Sequence, residues 1–288
     1  MNTYILAVLA LVFGNLLASL SDVAVKLLDG AIPSFQYVFI RQLVAFLVLT
    51  PIYLRFSGKK TLSEHLSNAK INFIRGQLIL IGAACMVVAI THLPLATANA
   101  VFYAAPLLML PLSVWILKET PKKEKIIATV IGFIGVLIVL RPSQFHWAAL
   151  FALGTAITLA VFHILVKKIP TKTSVIHTLF WTSVFSLPVS AFLAATVWQN
   201  IHSEELIWIV FSSIAILGYN GLAVYAYKKS EANQVALVEY SGLIFVTLFG
   251  VIWFDEVPNW LTAIGIGMIV VPIIYKQQTP KLKTVKQK

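Results

Sequence analysis

Ten mostly apolar stretches follow one another along the chain, at residues 4–27, 34–54, 72–91, 97–117, 126–140, 147–166, 175–196, 206–226, 234–254 and 259–275. A helix needs about 20 such residues to cross the hydrocarbon core of a bilayer. Most of the stretches meet that length; the fifth reaches it by extending back into its polar flank. What remains between them is too short and too apolar to form a soluble domain. With 59% hydrophobic and only 11% charged residues, the chain is far from the roughly 45–50% and 25% of soluble proteins. Lipid must therefore be its solvent, and the predicted fold is an all-α integral membrane protein of ten transmembrane helices. Met1-Asn2-Thr3 offers no positive n-region and no clean cleavage site follows, so the first stretch reads as a retained helix. The single cysteine, Cys85, lies in an apolar run and allows no intrachain disulfide.

A net charge of +11 suggests nucleic acid when it forms a patch on a soluble face. Here the basic residues fall in short clusters between apolar runs, so no nucleic-acid partner is expected. With the N-terminus in the cytoplasm, nineteen of the 22 lysines and arginines lie on the cytoplasmic side, and only Arg141 lies opposite. That tally counts Arg75 as a residue snorkelling from the third helix, and leaves Lys26 and Arg41 inside the membrane. The pattern predicts both termini in the cytoplasm of a bacterial-type inner membrane, which requires an even number of helices.

Ten helices divide into two halves of five. The stretch from Phe102 to Glu119 resembles the one from Glu239 to Glu256; each ends in a glutamate with a proline two positions on, Pro121 and Pro258, and Tyr103 aligns with Tyr240. Glycine-bearing helices follow, at Gly132 and Gly135 and at Gly265 and Gly267. An odd number of helices per half makes the halves opposite in orientation, as in many secondary transporters with a midplane substrate site. The boundaries read as 1–141 and 142–276 for the two five-helix repeats and 277–288 for a basic cytoplasmic tail. Close packing of helices is the plainer use of the glycines.

Ionisable side chains at bilayer depth normally face a bundle interior or a water-filled cavity. Four qualify: Asp22, Lys26, Arg41 and Glu239. At 1.5 Å per residue, Asp22 and Arg41 lie at about the same depth on adjacent helices, and Lys26 is one turn from Asp22. Arg41 or Lys26 then binds an anionic substrate group while Asp22 positions a cation or relays a proton; the alternative is a structural ion pair between the first two helices, with Lys26 snorkelling outward. Glu239 has no evident basic partner at its depth, which suits proton coupling or a cationic substrate. Its alternative is a neutral carboxyl bonded to Ser241 or a backbone carbonyl. Tyr103, Tyr240, Asn99, Tyr219 and Asn220 are candidates to line a cavity, or else to bond between helices. Trp147, Trp198, Trp208 and Trp260 fall at helix ends as interface anchors. Pro106 and Pro111 are expected to kink the fourth helix.

In Leu20-Ser-Asp22-Val-Ala-Val-Lys26, Gln36-Tyr-Val-Phe-Ile-Arg41, Arg75-Gly76, the run from His92 to Asn99 with Ala105-Pro106-Leu and Leu117-Lys-Glu119, the run from Gly132 to Arg141-Pro142, and Val238-Glu239-Tyr240, the chain resembles the drug/metabolite transporter superfamily, specifically its EamA-type members. The likeness covers nearly the whole chain. It implies two inverted five-helix halves and transport of amino acids, vitamins, nucleotide-like compounds or other metabolites. Its members include both exporters and importers.

No histidine spacing supports a metal site, and no nucleotide, hydrolase or potassium-filter motif occurs, so no cofactor, metal or catalysis is expected. The expected function is a secondary transporter of a small organic metabolite, working by alternating access. Amino-acid-like or other zwitterionic solutes come first, because cationic and anionic groups share the proposed cavity. A vitamin or nucleoside-like metabolite, such as riboflavin or S-adenosylmethionine, is the runner-up, using tyrosines for ring stacking. A membrane enzyme on lipid-linked substrates lacks its acid pairs, and a receptor or scaffold lacks extended loops. Protons are the candidate coupling ion. Nothing in the sequence sets the oligomeric state.

Overall fold

The computed structural model describes residues 3–56, 68–118, 123–140, 146–170, 172–229 and 238–274. Its helices are α1 (Thr3–Leu27), α2 (Ser34–Phe56), α3 (Ala69–His92), α4 (Leu95–Phe102), α5 (Ala105–Leu112, continuing into a π-helical turn Ser113–Leu117), α6 (Lys123–Leu140), α7 (Ala148–Val166), α8 (Val175–Ala195), α9 (Ser203–Lys229), α10 (Ser241–Phe254, entered through a 3₁₀ turn Val238–Tyr240) and α11 (Trp260–Ile274). Among the described residues, seven segments are long and apolar enough to cross a membrane, with α4 and α5 forming one of them, Leu95–Ile116. The shorter apolar helices α6, α10 and α11 bring the total to the ten predicted. No strand occurs among the described residues. Only helices satisfy their own backbone within a single lipid-embedded segment, so apolar runs of this length settle the fold class. The chain is a multi-pass membrane protein.

Polarity is distributed inside out relative to a soluble fold. Leu54, Phe192, Ile207 and Ile252 stand exposed on outer faces, while Asn15, Asp22, Arg41, Arg75 and Glu239 are buried. Trp147, Trp198, Trp208 and Trp260 are exposed at helix ends, where an interface anchor belongs. Arg75 departs from expectation. Rather than snorkelling to a membrane face, it is fully buried, with its guanidinium stacked 3.7 Å from the centre of the Phe162 ring. The loop 57–67, Glu119, Arg141, Pro142 and the predicted tail lie outside the described residues.

The fourth span breaks rather than bends. Helix α4 ends at Phe102, Tyr103 and Ala104 form a turn, and Pro106 sits in the first turn of α5. Proline has no N–H, so the carbonyls of Phe102 and Leu107 lose their helical donors at Pro106 and Pro111. The span closes at Lys118 in the left-handed region, φ 59°. The ninth span behaves alike, with Tyr240 at the junction of 3₁₀ turn and helix, and Asp255 left-handed at φ 51°.

Most helices pack against partners from the other end of the chain: α1 on α9 and α10, α2 on α8, α3 on α7, and α6 on α11. Glycines set two close approaches, of α11 on α6 and of α3 on α8. A Cβ on Gly265 would come 2.7 Å from the Gly135 carbonyl, and one on Gly76 2.8 Å from that of Thr182. Here the glycines serve close packing of helix on helix.

Candidate functional site

A cavity of about 130 Å³ opens in the middle of the bundle. Helix α1 brings Asp22 to it, α2 Arg41, α4 Asn99, the break Tyr103, α9 Tyr219 and Asn220, and the 3₁₀ turn Glu239. Seven of the nine predicted residues thus share one space. The break in the fourth span supplies part of its wall, through Phe102, Tyr103 and Pro106.

Several buried polar contacts hold the contributing helices. Ser21 and Tyr37 each place a hydroxyl on that of Ser212, at 2.7 and 2.6 Å, which ties α1, α2 and α9 beside Asp22 and Arg41. The Asn15 amide donates to the Val238 and Glu239 carbonyls at 2.9 and 3.2 Å and to the Ser241 hydroxyl at 3.0 Å. Helix α1 therefore fixes the turn that carries Glu239. A side chain on Gly242 would strike the Tyr103 hydroxyl, so α10 also sits hard against the break.

Glu239 is buried, and its carboxylate accepts hydrogen bonds from Tyr219 at 3.2 Å and Tyr227 at 3.0 Å. The alternative that paired it with Ser241 is replaced: Ser241 is engaged by Asn15. Arg41 is buried, yet among the described residues its guanidinium makes no hydrogen bond and no ion pair. Asp22 lies near enough to feel its charge but not within 4 Å, and the Asn99 amide stands beside Asp22. The structural ion pair between the first two helices does not form. Both groups keep hydrogen-bonding capacity directed at the cavity.

Lys26 and Tyr240 do not line this space. Lys26 points to the end of the bundle, where it pairs with Glu256 at 2.6 Å and donates to the Leu93 carbonyl at 2.8 Å. The other oxygen of Glu256 accepts the Leu95 N–H at 2.6 Å, at the start of α4. An acidic partner from the far half of the chain thus holds Lys26 at the bundle end, outside the cavity. Tyr240 packs on Tyr103 with ring centres 6.3 Å apart. Sequence reasoning missed Asn15, Tyr227 and the buried setting of Arg75. An asparagine in the middle of an apolar run was the one available signal for Asn15.

Residues 5–141 and 146–275 match the EamA-like transporter family. The chain belongs to that family. EamA-like relatives include the S-adenosylmethionine uptake transporter of Rickettsia prowazekii (strain Madrid E), 28% identical with 96% of this chain and 95% of the relative aligned. The protein of the same description from Rickettsia bellii (strain RML369-C) is also 28% identical, with 93% of each chain aligned. The pseudopaline exporter CntI of Pseudomonas aeruginosa (strain PAO1) is 23% identical, over 95% of this chain and 96% of its own. A solved crystal structure shares the fold at a TM-score of 0.68 and 17% identity, covering 94% of this chain and 98% of the other. This EamA-like protein is a transporter of small metabolites, not an enzyme.

Proposed function

We propose that the solute is a zwitterionic metabolite bearing an amino-acid group, with S-adenosylmethionine the first compound to test. The observation that carries this reading is the Arg41 guanidinium, buried without a hydrogen-bond partner in a cavity that also holds Asp22 and Glu239. A buried charge needs an offsetting partner. A solute carboxylate supplies one at Arg41, and its ammonium or sulfonium group answers Asp22 or Glu239. Phe102, Tyr103 and Phe162 line the cavity, an aromatic wall that favours a nucleoside-bearing solute over a plain amino acid. Two relatives described as S-adenosylmethionine uptake transporters support the same choice.

Alternating access follows from residues 1–141 and 142–276 acting as inverted five-helix units. In support, α1 packs on α9 as α7 packs on α3, which exchanges equivalent helices between the units. The paired breaks at Tyr103 and Tyr240 and the paired left-handed residues Lys118 and Asp255 support it too. The clustered lysines favour both termini in the cytoplasm of a bacterial-type inner membrane, an orientation with Lys26 and Glu256 at the outer end. Glu239, with Asp22, is the candidate carrier of a coupling proton.

Uptake of labelled S-adenosylmethionine into vesicles reconstituted with the purified protein tests the reading. Saturable uptake is expected, and Arg41→Gln should raise KM by about tenfold or more, the usual weight of a charge-assisted bond. Flux absent from wild-type vesicles, or insensitive to Arg41→Gln, would reject it.

A further inference from the structure

A second arginine is buried more completely and, among the described residues, has no anion of its own. Arg75 is fully buried on α3. Its Nη1 donates to the Phe162 carbonyl at 2.5 Å, but Nε and Nη2 find no acceptor. Among the described residues, no carboxylate forms an ion pair with it, and the groups turned toward it are basic or neutral: His163 on α7, and Asn220, Tyr227 and Lys228 on α9. An ionised group this deep is costly unless something offsets it. Stacking on Phe162 and one carbonyl do so only in part.

The position of the unsatisfied atoms is informative. Nε and Nη2 form one edge of the planar guanidinium, the edge that grips a carboxylate through two parallel N–H bonds. Arg75 itself borders a small void, together with His163, Asn220 and Tyr227. Phe162, His163 and Asn220 also line the main cavity, so the two spaces adjoin. His163 Nε2, likewise buried and without a partner, is a further polar atom beside the void.

We propose that the Arg75 edge is a second station for the carboxylate of the transported solute, reached after it leaves Arg41. The assignment rests on the zwitterionic-solute reading. From helix rise, Arg41 lies roughly 10 Å from the Ser34 end of α2 and Arg75 roughly 9 Å from the Ala69 end of α3. Those ends sit on opposite faces, so the Cα atoms of the two arginines are separated along the membrane normal by roughly 15 Å. A carboxylate crossing the bundle passes from one fork to the other and meets a cation near each end of its path. Glu239 borders the same route, bonded to Tyr227 of the void wall, and faces the solute's cationic group.

The test uses acetate as the bare carboxylate probe, read as thermal stabilisation of the purified protein at constant ionic strength against chloride. In an Arg41→Gln background, acetate should still stabilise, and adding Arg75→Lys, which keeps charge but loses the fork, should abolish the response. S-adenosylmethionine should bind wild type more tightly than its decarboxylated analogue. Arg75→Lys should shrink that preference by about tenfold, leaving the analogue unaffected. An acetate response lost with Arg41→Gln alone, or unchanged by Arg75→Lys, overturns the second station. If S-adenosylmethionine fails to bind while the acetate response follows Arg75, the solute assignment falls and the station stands. Should Arg75→Lys not fold, wild-type crystals grown with 3-bromopropionate decide: an anomalous bromine peak beside the Arg75 edge supports the station, and its absence there overturns it.

Discussion

Glu239 is held in a way that suits a group that gains and loses a proton. Its two partners are phenols, which donate to a carboxylate and accept from a carboxylic acid with little movement. The backbone beneath it is pinned by Asn15, so a change of charge need not displace the turn. Glutamine keeps the size and an acceptor oxygen but cannot titrate. Vesicles carrying Glu239→Gln should therefore retain exchange of internal for external solute. Uptake driven by a pH gradient should fall on the order of tenfold, and the rate should flatten across about pH 5.5–8. A wild-type pH profile in that variant would remove Glu239 from coupling. Tyr227→Phe deletes one of the two donors and should give a smaller change of the same kind.

At the level of elements, one contact that joins the two halves of the chain outside the cavity is the cluster of Lys26, Glu256 and the start of α4. Glu256 follows the left-handed Asp255 that ends α10, and one carboxylate oxygen caps the Leu95 N–H while the other pairs with Lys26. The pair is partly exposed, at 16% and 19%, so its Coulomb energy is modest and salt-sensitive. Such a contact is suited to opening and closing. Glu256→Lys should raise labelling of an Asn99→Cys reporter (in a Cys85→Ala background) by an impermeant maleimide applied from the Lys26 side. Lys26→Glu in the same chain should restore protection; labelling that ignores both substitutions would rule out a closure at this end. The sequence made the helices legible because each apolar run is long enough to cross lipid and is bounded by polar residues. Pro106 announced the break at Tyr103. The inward faces were harder to read, since lipid-facing and core-facing positions are both apolar and periodicity does not separate them. Lys26 looked like a cavity residue because it shares a helical face with Asp22, while its partner Glu256 arrives from the other half. Arg75 looked like a snorkelling residue because it lies near a helix start. Only packing shows that α7 and α9 close over it.

For the whole molecule, the pairing of helices decides what can be separated. Because α1 rests on α9 and α10, and α3 on α7, neither residues 1–141 nor residues 142–276 have a bundle of their own. Residues 1–141 alone would leave Asn15, Asp22, Arg41 and Arg75 without the walls that α7, α9 and α10 provide. Residues 142–276 alone would lose the Asn15 clamp on the Glu239 turn. Each exposed polar group costs free energy in hydrocarbon, and the cost falls on several groups at once. The chain cut between residues 141 and 146, where the two family matches meet, nevertheless keeps every described helix intact. Expressed singly, each half should be degraded or recovered only as aggregate. Expressed together from separate genes, they should co-purify through a tag on one half and take up solute in vesicles. A half that is stable and monodisperse by itself would show that the interdigitated pairing is not what holds the bundle, and would leave the shared cavity without its structural basis.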